Sequence, residues 1–418
     1  MIKPTILILP YTPTLSHISR PLEIAKKLRN QGCSVIFAGD NTPKSKRFFI
    51  QDEGFEVETL YEPDPDELFG NIRKGKLCFV TKAILERMIQ EDRDLFDRIK
   101  PDLVLTDGRF SAMISTQLEK VPHAAIVNAS STEYRSIPYI PMFDLPVFDL
   151  IPFKSFHNCL DSINLKIEMT VFDNAMSEFK RLSRQYQLPI KVTATNCLAG
   201  TDLTFLADLP EYFPVKNKPD HYHYIGPITW KQSKIVPMPD WWDDIKRIRK
   251  PKIYITMGTT GENNLFNTLY DLFNTSEFIS IVTTGSQAEG FTTIPDSIYV
   301  ENYLDGEKII ETCDLVVCHG GNGTIYQALS LGKPVLGIPT IPDQDYNMRR
   351  VEALGTGLRI PMKKAVKNPL IIKEKAAYIL NNMALFKPGL APLKARLKEF
   401  NGAGTASDMI MRFLKNQA

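Results

Sequence analysis

Paired cysteines, long apolar runs and net charge are all scarce in this 418-residue chain. Its six cysteines (Cys33, Cys78, Cys159, Cys197, Cys313 and Cys318) show no C-x-x-C and no paired spacing. That is the pattern of reduced thiols, not of a disulfide framework. No apolar run approaches the ~20 residues needed to cross a bilayer. Met1-Ile2-Lys3-Pro4 leads straight into a strand-like run without a secretory pattern. A cytoplasmic protein is the expectation, which makes the glycosylation-like triplets at Asn128, Asn274 and Asn322 coincidental. A net charge of +2 is too small to suggest a nucleic-acid partner. Metal-ligand clusters are missing as well: His221 and His223 lie two residues apart with no further ligands nearby.

What is present is alternation. "TILILP" (5–10) is a short β-branched run, hence a buried strand. "YTPTLSHIS" reads as a loop. From Pro21, "PLEIAKKLRNQG" reads as a helix, with proline in its first turn and Gly32 as its stop. "SVIFAGD" completes a βαβ unit. Further strands are expected at 55–60, 102–107, 123–128 and 203–208. A second series starts at Lys252 with "KIYITMG", "FISIVTTG", "SIYVENY", "DLVVCH", "PVLGIP" and "GLRIP". Strands alternating with helices imply parallel sheets covered on both faces. The division expected is a domain at 1–223, a proline- and tryptophan-rich linker at 224–250, a second domain at 251–400, and a final helix at 401–418 that returns to the first. The stretch 135–156, with Pro138, Pro141, Pro146 and Pro152 among aromatics, is too proline-rich for one long helix. It reads as an irregular insertion, with an apolar acceptor wall as its functional interpretation.

At His319-Gly320-Gly321-Asn322-Gly323-Thr324 a buried strand gives way to glycines and then to a helix. Glycines let backbone N–H groups approach an anion, and a helix N-terminus adds partial positive charge. Thr324 is placed to cap the helix or to offer its hydroxyl to a phosphate. No G-K-[ST] follows, so this is not a P-loop.

The stretch 319–357, "HGGNGTIYQALSLGKPVLGIPTIPDQDYNMRRVEALGTG", resembles the donor-binding signature of the UDP-glycosyltransferase-like superfamily, in particular its bacterial macrolide and natural-product branch. The resemblance covers essentially the whole chain. It implies α/β architecture of the GT-B type, two facing Rossmann-like doubly wound domains, with the acceptor on the first and the nucleotide sugar on the second. It implies that His319, Gly321, Asn322, Gly323 and Thr324 hold the donor diphosphate, joined by Thr259. It places Asp343 and Gln344 on the sugar hydroxyls, and Tyr303 and Gln327 at the nucleoside. Gln327 stands where the family favours Glu, which leaves UDP and dTDP donors both open, with UDP preferred.

"SHISRPLEIAKKLRNQGCSVIF" (16–37) resembles the family's first loop and helix. Ser16 replaces Gly, Cys33 replaces a second His, and the proline is displaced by one residue to Pro21. His17 falls on the general base, and Asp107, closing the strand "DLVLTD", on the carboxylate that orients it. The bland alternatives are a surface histidine and a helix N-cap. The resemblance thus implies an inverting O-glycosyltransferase moving a hexose to a hydroxyl of a small, largely apolar acceptor, with no metal and no cofactor beyond the sugar nucleotide. A nucleotide-sugar 2-epimerase and a non-catalytic sugar-nucleotide binder are the alternatives. Of two D-x-D patterns, Asp64-Pro65-Asp66 reads as a solvated loop and Asp343-Gln344-Asp345 as part of the sugar site. A peripheral membrane contact and the choice of monomer or homodimer stay open.

Overall fold

The computed structural model describes residues 3–141, 154–229, 237–257, 263–285 and 290–417, without the side chains of 154–158, 263 and 264. The middle of the proline-rich insertion (142–153) and Thr259 therefore lie outside the described residues. The chain forms two compact units, Met1–Lys231 with Phe400–Ala418, and Gln232–Glu399. The crossings fall at 231–232, inside the stretch read as a linker, and at 399–400.

In the first unit, seven parallel strands are ordered β3-β2-β1-β4-β5-β6-β7 among the described residues. They are β1 (Thr5–Pro10), β2 (Ser34–Gly39), β3 (Glu56–Thr59), β4 (Leu103–Asp107), β5 (His123–Val127), β6 (Leu203–Leu206) and β7 (Tyr222–Tyr224). The last was not among the expected strands: "YHY" is too short and polar to stand out, and its final residue, Tyr224, lies in the stretch assigned to the linker. Period-two alternation explains the two-sided core. Ile6 and Ile8 pack with Leu22, Ala25, Ala406 and Ile410 on one face. Leu7 and Leu9 pack with Leu95 and Phe96 on the other. The C-terminal helix Gly402–Gln417 lies on helix Leu15–Asn30, where Gln31 Nε2 donates to Asp408 Oδ1 at 2.7 Å.

Helix Leu15–Asn30 starts six residues before Pro21, which sits inside it. Pro21 does not open the helix as its composition suggested. It has no N–H to give to the His17 carbonyl four residues back, a local defect that tertiary packing tolerates. His17 is consequently in the first helical turn and not in a loop. Asp64 also differs from expectation. It caps helix Pro65–Arg73, its carboxylate accepting from the Asp66 and Glu67 amides; an Asp before an N1 proline is a helix start.

The second unit repeats the pattern with six parallel strands ordered β10-β9-β8-β11-β12-β13. These are β8 (Lys252–Thr256), β9 (Ile279–Thr283), β10 (Ile298–Glu301), β11 (Leu315–Cys318), β12 (Val335–Gly337) and β13 (Gly357–Arg359). In both sheets the first strand of the series is flanked by its second and fourth. The order reverses beside that first strand, and in open parallel sheets the carboxyl ends of the two strands at such a reversal border the ligand crevice.

Candidate active site

In the first unit the reversal lies between β1 and β4, with Pro10 opposite Asp107 in the register. After β1 the chain turns through Tyr11 and Thr14, and the Tyr11 amide donates to the Asp107 carbonyl at 2.9 Å. That turn sets the first helical turn over the end of β4. His17 Nδ1 donates to Asp107 Oδ1 at 2.5 Å. The Asp107 side chain is wholly buried, while that of His17 is 31% exposed. A buried carboxylate on one ring nitrogen fixes the tautomer and leaves the other as the acceptor. Gly108, the next residue, has φ of +87°. A Cβ there would lie 3.2 Å from both His17 Nδ1 and Tyr11 Cβ, so glycine is required by backbone and ring together. Asp107 caps no helix: the following one, Ala112–Glu119, begins after Ser111.

Arg20 completes this cluster and was not singled out in the sequence. Its Nε donates to Asp107 Oδ2 at 2.9 Å, its Nη2 to Asp107 Oδ1 at 2.7 Å, and its Nη1 to Asn128 Oδ1 at 2.5 Å. The available signal was spacing: residues three apart share a helix face, and Arg20 is three beyond His17.

A second buried network supports the loop that follows β4. Arg109 pairs with Asp92 through Nη2 at 2.7 Å and Nε at 3.0 Å. Ser111 and Ser115 donate to the other Asp92 oxygen at 2.5 and 2.8 Å. Glu62 underlies the turn after β1, accepting from the Thr12 amide at 2.9 Å and the Asp40 amide at 3.2 Å, and from the Thr12 hydroxyl. Burial pushes its carboxyl up to about 7, against those hydrogen bonds and the Arg109 charge.

In the second unit the reversal lies between β8 and β11, and His319 directly follows β11. It is 7% exposed, and its Nδ1 is buried without a partner among the described residues. Burial pushes the imidazole down to about 4, a backbone hydrogen bond with Thr256 working the other way, so His319 is neutral at pH 7. Gly320 has φ of +92°, and a Cβ there would strike Met348 Cγ at 2.8 Å and the Gln344 carbonyl at 2.9 Å. At Gly321 a Cβ would come within 2.7 Å of His319 Nε2. Helix Asn322–Leu331 follows, with Gly321 as its N-cap; Thr324 is inside the first turn and is not the cap. Both side-chain heteroatoms of Asn322 are buried without partners. Beside Gly323 the space is open. Glycines, a helix N-terminus and orphaned polar atoms together form a seat for an anion.

The remaining expected residues divide. Tyr303, after β10, is 39% exposed and donates its hydroxyl to the Gly285 carbonyl at 3.0 Å. It is not a core tyrosine. Gln327 extends toward Gly306, where a Cβ would meet its Oε1 at 3.3 Å. Asp343 is half-buried in the first turn of helix Pro342–Ala353. Gln344 is 2% exposed and turns its Oε1 to the Thr340 amide and hydroxyl, both at 2.9 Å; its carbonyl holds a loop. Asp345, placed in the sugar site from its D-x-D context, instead pairs with Arg359 Nη1 at 2.7 and 2.8 Å. Asn347, present in the signature but not weighed, is fully buried. It donates to the Gly320 carbonyl at 2.9 Å and ties the glycine loop to the next helix. Among the described residues, no three His, Cys, Asp or Glu side chains gather as a metal site, and no helix is long and apolar enough to cross a membrane.

Two doubly wound parallel units of this kind define the GT-B fold class. Residues 269–390 match the model described as "Erythromycin biosynthesis protein CIII-like, C-terminal domain". A PGL/p-HBAD biosynthesis rhamnosyltransferase of Mycobacterium bovis is 30% identical over 347 residues, 82% of this chain and 74% of that protein. A second protein of that organism, named an inactive PGL/p-HBAD biosynthesis glycosyltransferase, is 30% identical over 255 residues, 60% of this chain and 66% of that one. The spinosyn rhamnosyltransferase SpnG shares the fold, with a TM-score of 0.69 and 16% identity over 97% of this chain and all of its own. It has also been solved with spinosyn aglycone and with thymidine diphosphate. The chain belongs to the UDP-glycosyltransferase-like superfamily of GT-B glycosyltransferases, in its bacterial natural-product branch.

Proposed function

We propose that the protein transfers a hexose, with inversion, from a nucleotide sugar to a hydroxyl of a small, largely apolar acceptor. The observation that carries this reading is His17, held through Nδ1 by a buried carboxylate at 2.5 Å and part-exposed. Such an imidazole is built to take a proton through Nε2. As the acceptor hydroxyl gives up its proton to His17, its oxygen attacks the anomeric carbon and the nucleoside diphosphate departs. His319, neutral and donating, the amides at Gly321, Gly323 and Thr324, and the helix N-terminus receive the leaving charge. One displacement inverts the anomeric configuration. On this reading no metal is needed, so transfer is expected to survive EDTA.

We read the donor as a thymidine diphosphate 6-deoxyhexose of the rhamnose type, ahead of a UDP-sugar. Supporting this are the relative named a rhamnosyltransferase, the thymidine diphosphate bound by SpnG, and Gln327 in place of the family's Glu. A thermal-shift panel of dTDP-, UDP- and GDP-sugars tests it. The dTDP-sugars should raise the unfolding midpoint most, since saturation at a hundred times Kd adds about 2.7 kcal/mol. Mass spectrometry of an apolar phenol and alcohol panel with the best donor, and NMR of the product's anomeric proton, then test transfer and inversion. A midpoint moved by no nucleotide sugar, or a product of retained configuration, would contradict the reading.

A further inference from the structure

Arg20 lies one turn beyond His17 on the same helix and is only 13% exposed along its side chain. It reaches past His17 to the same carboxylate, and Asp107 Oδ1 receives both His17 Nδ1 and Arg20 Nη2. The fork is bidentate, and its third arm is anchored on Asn128, at the end of β5. Beside the imidazole, Asp107 stands at the end of β4 and Arg20 on its own helix. The Tyr11 ring after β1 lies edge-on with centroids 6.3 Å apart. The Tyr11 hydroxyl is turned away to the Pro63 carbonyl at 2.9 Å, and burial with nearby Glu62 keeps it protonated. The Gly108 backbone lies beside the ring, where a Cβ would be 3.2 Å from Nδ1.

A buried carboxylate facing a lone imidazole stabilises the imidazolium strongly, and such a base stays protonated. A guanidinium on the same carboxylate changes this in two ways. It neutralises much of the negative charge that the imidazole feels, and its planar fork fixes both carboxylate oxygens. We propose that Arg20 is a positioning residue for the reaction: its fork holds Asp107 immobile and shares the carboxylate's negative charge with the His17 imidazole, so that Nδ1 stays engaged and Nε2 is left as the acceptor. This rests on the reading of His17 as the base. It adds a third member to the pair, on the position where the displaced proline leaves room for a side chain.

The test uses the full chain labelled with carbon-13 at histidine Cε1 and followed by NMR through a pH titration, with the His17 resonance assigned by its loss in His17→Gln. Arg20→Met should move the His17 titration midpoint upward by about 1–3 pH units. Arg20→Lys, which keeps the charge but not the fork, should restore most of the wild-type midpoint. Turnover in Arg20→Met should recover at alkaline pH, with kcat more affected than KM. Should Arg20→Met fail to fold, Arg20→Gln gives the same neutral comparison. A folded neutral variant with an unmoved His17 midpoint would overturn the proposal. If instead the midpoint moves while His17→Gln retains full turnover, Arg20 acts on the imidazole but the base assignment fails, and the positioning role in the reaction falls with it.

Discussion

At Gly108 a single methyl group would press on the candidate base itself. Its φ of +87° and the 3.2 Å approach of His17 Nδ1 to a Cβ predict two effects of Gly108→Ala. Backbone strain should cost about 1–2 kcal/mol of stability. Displacement of the imidazole should lower kcat by about a hundredfold, since misplacement by 1 Å is felt at that scale. Denaturant titration and steady-state kinetics would measure the two separately. An unchanged kcat would mean that the ring's position is set elsewhere. Individual residues were unevenly legible in the sequence. Asp107 and His319 could be picked out because each stands at the end of an apolar strand, and His17 because its segment resembles the family's first loop and helix. Arg20 was hidden because the misplaced helix start put it in a loop, where the i, i+3 relation to His17 has no meaning. Gln344 and Asp345 look alike in sequence, yet Asp345 is paired with Arg359, while Gln344 gives its Oε1 to Thr340.

At the scale of elements, the site depends on loops held from behind. Asn347, on helix Pro342–Ala353, fixes the Gly320 carbonyl. Asn347→Ala should loosen the glycine loop and weaken nucleotide binding about tenfold, the worth of one buried hydrogen bond. Calorimetry with thymidine diphosphate reads this, and unchanged affinity would show that the loop holds itself. In the first unit, Asp92→Asn would leave Arg109 buried without its counter-charge and should destabilise the fold by about 3–5 kcal/mol, measurable by urea unfolding. The strands of both series were legible because fully buried parallel strands are continuous apolar runs. β7 was not, because "YHY" is an edge strand of three residues whose pairing comes from β6.

For the whole molecule, buried histidines set the acid limit. Burial holds His123 and His319 each down to about 4, whereas an unfolded histidine takes its proton near 6.5. Between those values the unfolded chain binds more protons, so stability falls as pH drops through about 6.5 toward 4. Glu62 runs the other way. With its carboxyl raised to about 7, its contribution is complete below the unfolded value near 4.3 and is lost as pH rises through 7. A pH series of thermal unfolding should show both slopes, and Glu62→Gln should flatten the one around neutrality. An alkaline slope unchanged in that variant would show that Glu62 is already ionised in the folded chain.

One unit holds His17 on a carboxylate and the other holds His319 on a glycine loop, and the proposed mechanism gives the proton transfer to His17 alone. His17→Ala, assayed for transfer from the best nucleotide sugar beside calorimetric binding of that donor, tests this most directly. In the variant, kcat should fall by at least about a hundredfold with donor Kd unchanged. Transfer at the wild-type rate in a folded His17→Ala chain would contradict it.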